Sequence, residues 1–155
     1  MILLDTNILL RYARIADSAY ATVDTAINAL HTNGEVLCVV PQNIYEFWAT
    51  ATRPAASNGL GLFVPECQVQ VARIKRLFSL IPDVSMLFPE WEALVVAHAC
   101  HGRVSYDARL VAAMRTHGIT RLLTINTTEF ARYPSITILD PATFTAPVAP
   151  TSTTP

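Results

Sequence analysis

The sequence predicts an α/β fold: a three-layer α/β/α sandwich with a central parallel sheet and a helical hairpin insertion. Short apolar segments alternate with segments of helical periodicity, which favours parallel strands joined by right-handed crossovers. The first of them, MILLD, is apolar at consecutive positions and is typical of a strand buried on both faces. Between the second strand and ITRLLTI the patterns are all helical, which predicts the inserted hairpin.

The first third of the chain contains two predicted strands. After MILLD, the segment NILLR begins a helix, and a second helix over residues 17–32 has a stripe of apolar residues near the 3.6-residue period. NGEVLCVV contains a turn and the second strand. Pro41 then opens a helix through about Thr52, in the first-turn position that proline tolerates.

The remaining elements follow the loop RPAASNGLGLF. Helices are predicted from Pro65 to before Pro82, from Pro89 to about His101, and over residues 106–117, the last two closed by glycines. RVS is predicted to be a short extended link between the second and third of these helices. ITRLLTI and SITIL are strands, separated by NTTEFARY, a loop or a single helical turn.

Length and composition are those of one globular domain. Domains commonly have about 100–150 residues, and this chain has 155. We expect the domain to occupy residues 1–144. Residues 145–155 belong to a segment of Pro, Thr and Ala without periodicity and are predicted to be a disordered tail.

Composition also excludes several classes of protein. No apolar run approaches the about 20 residues of a membrane span, and the N-terminus lacks the basic leader of a signal peptide, so a cytoplasmic location is expected. Cys38, Cys67 and Cys100 are widely spaced and are predicted to be free thiols. A net charge of −1 lacks the excess of basic residues that is typical of tight nucleic-acid binding, but it is compatible with a nuclease that binds phosphate through metal ions.

Acidic residues recur where predicted strands end. Asp5 ends the first strand, where a carboxylate is either an ordinary turn residue or part of a site at the carboxyl edge of the sheet. Glu46 lies early in the helix that follows the second strand, although a solvated helical glutamate is the simpler interpretation. Asp107 continues the apolar face of its helix, where it either caps the helix or presents a carboxylate to a metal.

A fourth polar group follows ITRLLTI. Thr124, Asn126, Thr127 and Glu129 crowd the carboxyl end of that strand, either as a polar turn or as further oxygen ligands. Converging carboxylates without clustered Cys or His select hard cations, Mg²⁺ or Mn²⁺. One or two such ions serve phosphodiester hydrolysis, by activating water and clamping the attacking and leaving oxygens.

These stretches together resemble PIN-domain nucleases, and most of all the VapC-type toxins of bacterial toxin–antitoxin pairs. The likeness lies in MILLDTNILLR, PQNIYEFWATATRP, SYDARLVAAMRTHGITRLLTINTTEF and YPSITILDP, which span nearly residues 1–141 in the family's order. The resemblance implies a metal-dependent endoribonuclease, often specific for tRNA or rRNA, that is inhibited by a cognate antitoxin and forms a homodimer.

The resemblance also assigns residues. Asp5, Glu46 and Asp107 match the acids that hold Mg²⁺ or Mn²⁺, while Asn7 and Thr124 match the family's supporting Asn and hydroxyl residue. Many members have a fourth Asp where this chain has Asn126. We therefore predict Asn126 as a catalytic position, supported by Glu129 three residues on.

Other interpretations remain at this stage. A phosphatase with an Asp nucleophile usually has a second Asp two residues on, where this chain has Asn7, and a degenerate domain would only bind a partner. His98, Cys100 and His101 lack a fourth ligand for zinc. Among scattered arginines, those nearest the acids in sequence are predicted to meet RNA phosphates, namely Arg11, Arg14 and Arg109. Apolar helices within residues 41–80 are expected to offer a groove for an antitoxin segment.

Overall fold

The computed structural model describes residues 1–145, whose centre is a five-stranded sheet in which all neighbouring strands are parallel. This confirms the predicted sheet. The strand order is β3-β2-β1-β4-β5. The strands are β1 (Ile2–Leu4), β2 (Leu37–Val39), β3 (Ser79–Leu80), β4 (Arg121–Leu123) and β5 (Thr137–Leu139).

Helices connect the strands and cover both faces of the sheet. They are α1 (Thr6–Tyr12), α2 (Tyr20–Thr32), α3 (Pro41–Ala51), α4 (Val64–Leu77), α5 (Leu87–Ala97), α6 (Val104–Thr116) and α7 (Thr127–Phe130). Two short 3₁₀ turns lie at Ala55–Ser57 and Pro141–Thr143. Within residues 1–145, each helix is too short or too polar to cross a bilayer.

Two separate hydrophobic cores establish the three layers. Ile2 and Leu4 of β1 belong to a core shared with α1 to α4, whereas Leu3, between them, belongs to a second core shared with α5, α6 and α7. Successive side chains of a strand point to opposite faces, so this division places helices on both sides of the sheet. The continuous apolar run of MILLD follows from that burial, since all three strand residues are fully buried.

Two parts of the predicted element map are wrong. The insertion predicted to be all helical also contains β3, an exposed strand of two residues that is too short to leave a periodic signal. The predicted extended link RVS instead begins α6. There the Ser105 backbone carbonyl accepts a hydrogen bond of 2.9 Å from the Trp91 indole, and its hydroxyl donates to the Gly102 carbonyl at 2.7 Å. These contacts cannot be read from local sequence.

The chain order creates a switch point beside β1. The chain passes from β1 outward to β2 and β3, and then returns to the other side of β1 to form β4 and β5. In open α/β sheets, ligands bind beyond the carboxyl ends of the strands at such a point. Here those ends are followed by Asp5 and Thr124.

The C-terminal end of the domain packs on the first core. Phe144 contacts this core, and the 3₁₀ turn before it contains the buried Pro141. Of the predicted tail over residues 145–155, residues 146–155 lie outside the described part of the chain. As predicted, the three cysteines are free thiols, with Cys100 partly exposed.

Candidate active site at the carboxyl edge of the sheet

Asp5 lies in a hydrogen-bonded cluster between β1 and β4. Its Oδ2 accepts from the Thr124 hydroxyl at 2.6 Å and from the Asn7 side-chain amide at 2.7 Å. The same Asn7 amide is 3.0 Å from the Thr124 hydroxyl oxygen, which also accepts from the Asn126 backbone N–H at 3.0 Å. Because the Thr124 proton is directed at Asp5, these contacts define the orientation of the carboxylate.

Burial makes ionisation of Asp5 costly. Its side chain is 9% exposed, and desolvation raises its pKa from 3.8 to about 6. The hydrogen bond from Thr124 lowers the pKa, while the charge of nearby Glu46 raises it further. The cost of burial therefore exceeds the benefit of the hydrogen bonds, and a cation beside the carboxylate would offset that cost.

Glu46 is held on α3 by two hydrogen bonds, one to each carboxylate oxygen. Oε2 accepts from the Thr6 hydroxyl at 2.7 Å, and Oε1 accepts from the Gln42 side-chain amide at 2.7 Å. The helix begins at Pro41 directly after β2, and Asn43 Oδ1 accepts a 2.8 Å hydrogen bond from the backbone N–H of the residue that precedes the helix. This start places Glu46 near the sheet edge.

Gln42 connects Glu46 to a second helix. Its amide nitrogen also donates to the Tyr106 carbonyl at 2.9 Å, and its oxygen accepts from Arg109 at 3.1 Å. Arg109 in turn forms a 2.7 Å ion pair with Asp83. Since Arg109 can only donate, the Gln42 oxygen must face it, which leaves the Gln42 amide to donate to Glu46.

Asp107 reaches the same cavity from the first turn of α6. Burial is again the largest cause of its raised pKa of about 6, and it is followed by the like charges of Glu129, Asp5 and Glu46. The charge of Arg132 acts in the opposite direction, and within residues 1–145 the Asp107 carboxylate accepts no side-chain hydrogen bond. Close to Asp107, the Asn126 side-chain amide donates to Glu129 of α7 at 3.0 Å.

One cavity of about 650 Å³ collects these groups. Six of the seven site residues predicted from the sequence line its wall: Asp5, Asn7, Glu46, Asp107, Asn126 and Glu129. The seventh, Thr124, is fully buried and bonds to Asp5. Within residues 1–145, no three His, Cys, Asp or Glu side chains form a ready-made metal cluster. The carboxylates of Asp5, Glu46 and Glu129 instead each accept hydrogen bonds from polar neighbours.

The donor set nevertheless fits a hard cation. All the ligating atoms on offer are oxygens, which suits Mg²⁺ or Mn²⁺. The raised pKa values of Asp5 and Asp107 express the mutual repulsion and desolvation that a divalent ion would relieve. Asp5, Glu46 and Asp107 are the residues that could hold it, each from a different element.

The arginines at the cavity differ from those predicted. Arg53, Arg103 and Arg132 line it, whereas Arg11 is paired with Asp17 and Arg109 with Asp83. Arg14 is likewise not among the lining residues. The helical period could have identified Arg53, since residues 46, 49 and 50 share one face of α3 and Arg53 continues that spacing two residues past the end of the helix. Arg103 and Arg132 are brought there only by the tertiary fold.

Two of the three residues considered as zinc ligands, His98 and Cys100, contact Tyr133. His98 packs edge-on against the ring of Tyr133 at a centroid distance of 4.8 Å. The Cys100 sulfur lies 3.6 Å from the Tyr133 hydroxyl. Both groups are thus engaged by an aromatic side chain of the second core.

Solved structures with the same architecture identify the fold. VapBC2 from Rickettsia felis, bound to a DNA fragment from its promoter, matches with a TM-score of 0.67 and 16% identity, over 90% of this chain and 98% of that one. FitAcB from Neisseria gonorrhoeae matches with a TM-score of 0.64 and 18% identity, over 91% and 98%. The chain has the PIN-domain fold.

A third PIN-domain structure is VapC20 from Mycobacterium tuberculosis, described as a sarcin–ricin loop cleaving toxin. It matches with a TM-score of 0.59 and 18% identity, over 79% of this chain and 87% of that one. No family model and no curated protein sequence matches the chain. At these identities the likeness establishes the fold, and the predicted resemblance is confirmed at that level.

Proposed function

We propose that this protein is a Mg²⁺- or Mn²⁺-dependent endoribonuclease that hydrolyses RNA phosphodiester bonds. The observation that carries the proposal is the convergence of Asp5, Glu46, Asp107 and Glu129 on one cavity at the switch point of a PIN fold. Acids that line one cavity, two of them with a pKa of about 6, favour a bound cation. Fold alone would not support the proposal, because one fold serves many functions.

In this proposal each residue has a defined role. Asp5, Glu46 and Asp107 would hold the cation, which when bound supplies Lewis acidity and a water of lowered pKa. Thr124 and Asn7 orient the Asp5 carboxylate through the hydrogen bonds described above. Asn126 stands where many PIN domains have a fourth acid, and its amide holds Glu129, which supplies the carboxylate of that corner.

Cleavage of total RNA tests this proposal. We expect cleavage with Mg²⁺ or Mn²⁺, none with a chelator, and a loss of about 100-fold or more in Asp107→Asn. Glu92→Gln is the matched control, because Glu92 is an exposed acid on α5 that does not line the cavity. Equal cleavage by Asp107→Asn and wild type, or full activity with the chelator, would contradict the assignment. Mapping of the 5′ ends would identify the target.

We further propose that the protein is the toxin of a type II toxin–antitoxin pair and acts as a homodimer. The support is the fold shared with VapBC2, FitAcB and a toxin–antitoxin complex from Klebsiella pneumoniae. Expression should arrest growth, the Asp107→Asn variant should not, and the product of an adjacent small gene should co-purify and restore growth. Light scattering measures the oligomer.

The same experiments separate the alternatives. An RNA-processing nuclease without an antitoxin would cleave RNA but leave growth unaffected and have no neutralising neighbour. A degenerate binding domain would show neither cleavage nor a thermal shift with Mg²⁺ or Mn²⁺. A phosphatase with Asp5 as nucleophile would hydrolyse phosphomonoesters and lose that activity in Asp5→Asn, with no RNA cleavage.

A further inference from the structure

Two exposed tyrosines stand beside the acids of the cavity. Tyr45 immediately precedes Glu46 on α3, and Tyr106 immediately precedes Asp107 on α6. Their side chains are 66% and 60% exposed, and both line the cavity. Each of the two helices thus contributes an acid and, one residue earlier, an aromatic ring.

Packing does not explain these rings. Within residues 1–145, neither ring pairs with another aromatic side chain, and neither hydroxyl forms a hydrogen bond. Phe47, on the opposite face of α3, is fully buried, so the helix has its own anchor in the core. The backbone that carries Tyr106 is also anchored, because its carbonyl accepts from the buried Gln42. The backbone that carries each ring is therefore held in place, while the ring itself is open to a ligand.

Positive charge accompanies the rings. Arg53, Arg103 and Arg132 line the same cavity, and none of them forms an ion pair with an acid in residues 1–145. The arginines that are paired lie elsewhere, as in the ion pair between Arg115 and Glu90. Guanidinium groups that face a cavity and lack a carboxylate partner suit phosphate, while exposed aromatic faces suit bases.

We propose that Tyr45 and Tyr106 are base-binding residues of this cavity, each of which stacks on a base next to the scissile phosphate. The inference rests on the proposed ribonuclease function and names two residues that bind its substrate. In a duplex the faces of the bases are covered by their neighbours, whereas in loops and single strands they can stack on aromatic side chains. Stacking tolerates every base, so the two rings add affinity without selecting a sequence, while the arginines hold the backbone.

Binding measurements in a cleavage-deficient Asp107→Asn background test the proposal. The probe is a labelled single-stranded RNA of about eight nucleotides, within the usual site sizes of single-strand binders, and the same RNA annealed to its complement. Tyr45→Ala and Tyr106→Ala are compared with Tyr45→Phe and Tyr106→Phe, which keep the ring. Phe88→Ala is the matched surface control, because Phe88 is 62% exposed and does not line this cavity.

We expect each Tyr→Ala change to weaken single-strand binding by about fivefold to 100-fold. Both Phe variants and Phe88→Ala should bind within about twofold of the parent. The duplex should bind at least about tenfold more weakly and respond to none of the tyrosine changes. Thermal unfolding checks that each variant is folded, and exposed tyrosines should tolerate the change.

The outcomes distinguish this inference from the proposed function. If wild type cleaves RNA but the Ala variants bind as the parent does, or the duplex binds as well as the single strand, the stacking inference is wrong and the ribonuclease stands. If wild type neither binds nor cleaves RNA, the proposed function fails and the inference with it.

Discussion

Burial raises the pKa of an aspartate on each side of the cavity, but the two carboxylates have different surroundings. Asp5 and Asp107 both have a pKa of about 6, but Asp5 is deeply buried in a network with Thr124 and Asn7, whereas Asp107 is half-buried beside the like charge of Glu129. On the first side, hydrogen bonds orient a carboxylate whose ionisation is costly because it is buried. On the second, charges repel one another with little local restraint. We call the first side, around Asp5 with Thr124 and Asn7, the organised corner, and the second side, around Asp107 and Glu129, the adaptable corner.

The largest difference should appear in catalysis. Asp5→Asn keeps an oxygen for Thr124 and Asn7 but removes the charge, so RNA cleavage should fall by about 100-fold or more. Glu129→Gln, on the exposed side, should cost about tenfold or less, because its neighbour Asn126 can still donate to the amide oxygen. Initial rates of RNA cleavage measure both losses. A larger loss in Glu129→Gln than in Asp5→Asn would show that catalysis depends more on Glu129 than on Asp5.

Stability against pH should show the cost of the charges. The folded pKa of Asp107 is raised above its ordinary value of 3.8 to about 6, so its contribution to metal-free stability is fully present below about pH 4 and is lost as the pH rises through 6. Asp107→Asn should therefore be as stable as wild type near pH 4 and more stable near pH 7, by about 1–3 kcal/mol.

The controls for this pH profile have the opposite sign. The pKa of Glu35 is lowered from 4.5, chiefly by its hydrogen bonds with Arg121, so Glu35→Gln should be less stable than wild type above about pH 4.5, and this difference should shrink as the pH falls through the lowered pKa. Mg²⁺ or Mn²⁺ should stabilise wild type at pH 7 more than Asp107→Asn. Denaturant unfolding at each pH provides the data, and a flat difference between Asp107→Asn and wild type would exclude the electrostatic account.

The organised corner should be the more sensitive to loss of a hydrogen bond. Thr124→Val removes the donor to Asp5 and the acceptor for Asn7 and Asn126, and we expect a loss of about 1–3 kcal/mol in unfolding free energy. Glu129→Gln should stay within about 0.5 kcal/mol. Thr124→Ser, which keeps the hydroxyl, should recover much of the loss; if Ser and Val variants are equally destabilised, the effect comes from packing.

The smallest effect should come from the chain of contacts behind Glu46. Arg109→Met releases the Gln42 oxygen, and Mn²⁺ affinity measured by calorimetry should fall by about threefold to tenfold. Arg115→Met is the matched control, because Arg115 also forms an ion pair on α6 but contacts Glu90 and Ser135. Equal effects of the two substitutions would show that Arg109 acts only through general electrostatics.

Much of the fold could be predicted because its signals are local. MILLD reads as a strand buried on both faces, and Pro41 and Gly118 mark a helix start and a helix end that the structure has within a residue or two. β3 and the first residues of α6 were missed, because a two-residue edge strand has no period and the start of α6 depends on Trp91.

The candidate site divides in the same way. The sequence alone determined which acids could converge, since Asp5 follows a strand and Glu46 and Asp107 lie in the N-terminal halves of helices near the carboxyl edge of a parallel sheet. Only the tertiary structure decided what surrounds them. It brings Thr124 and Asn7 into hydrogen bonds with Asp5, and it places Gln42, itself bonded to Arg109, against Glu46. It also decides which arginines line the cavity. The positions of most strands and helices follow from local pattern, whereas the strand order and the hydrogen bonds between residues more than 100 positions apart exist only once the chain has folded.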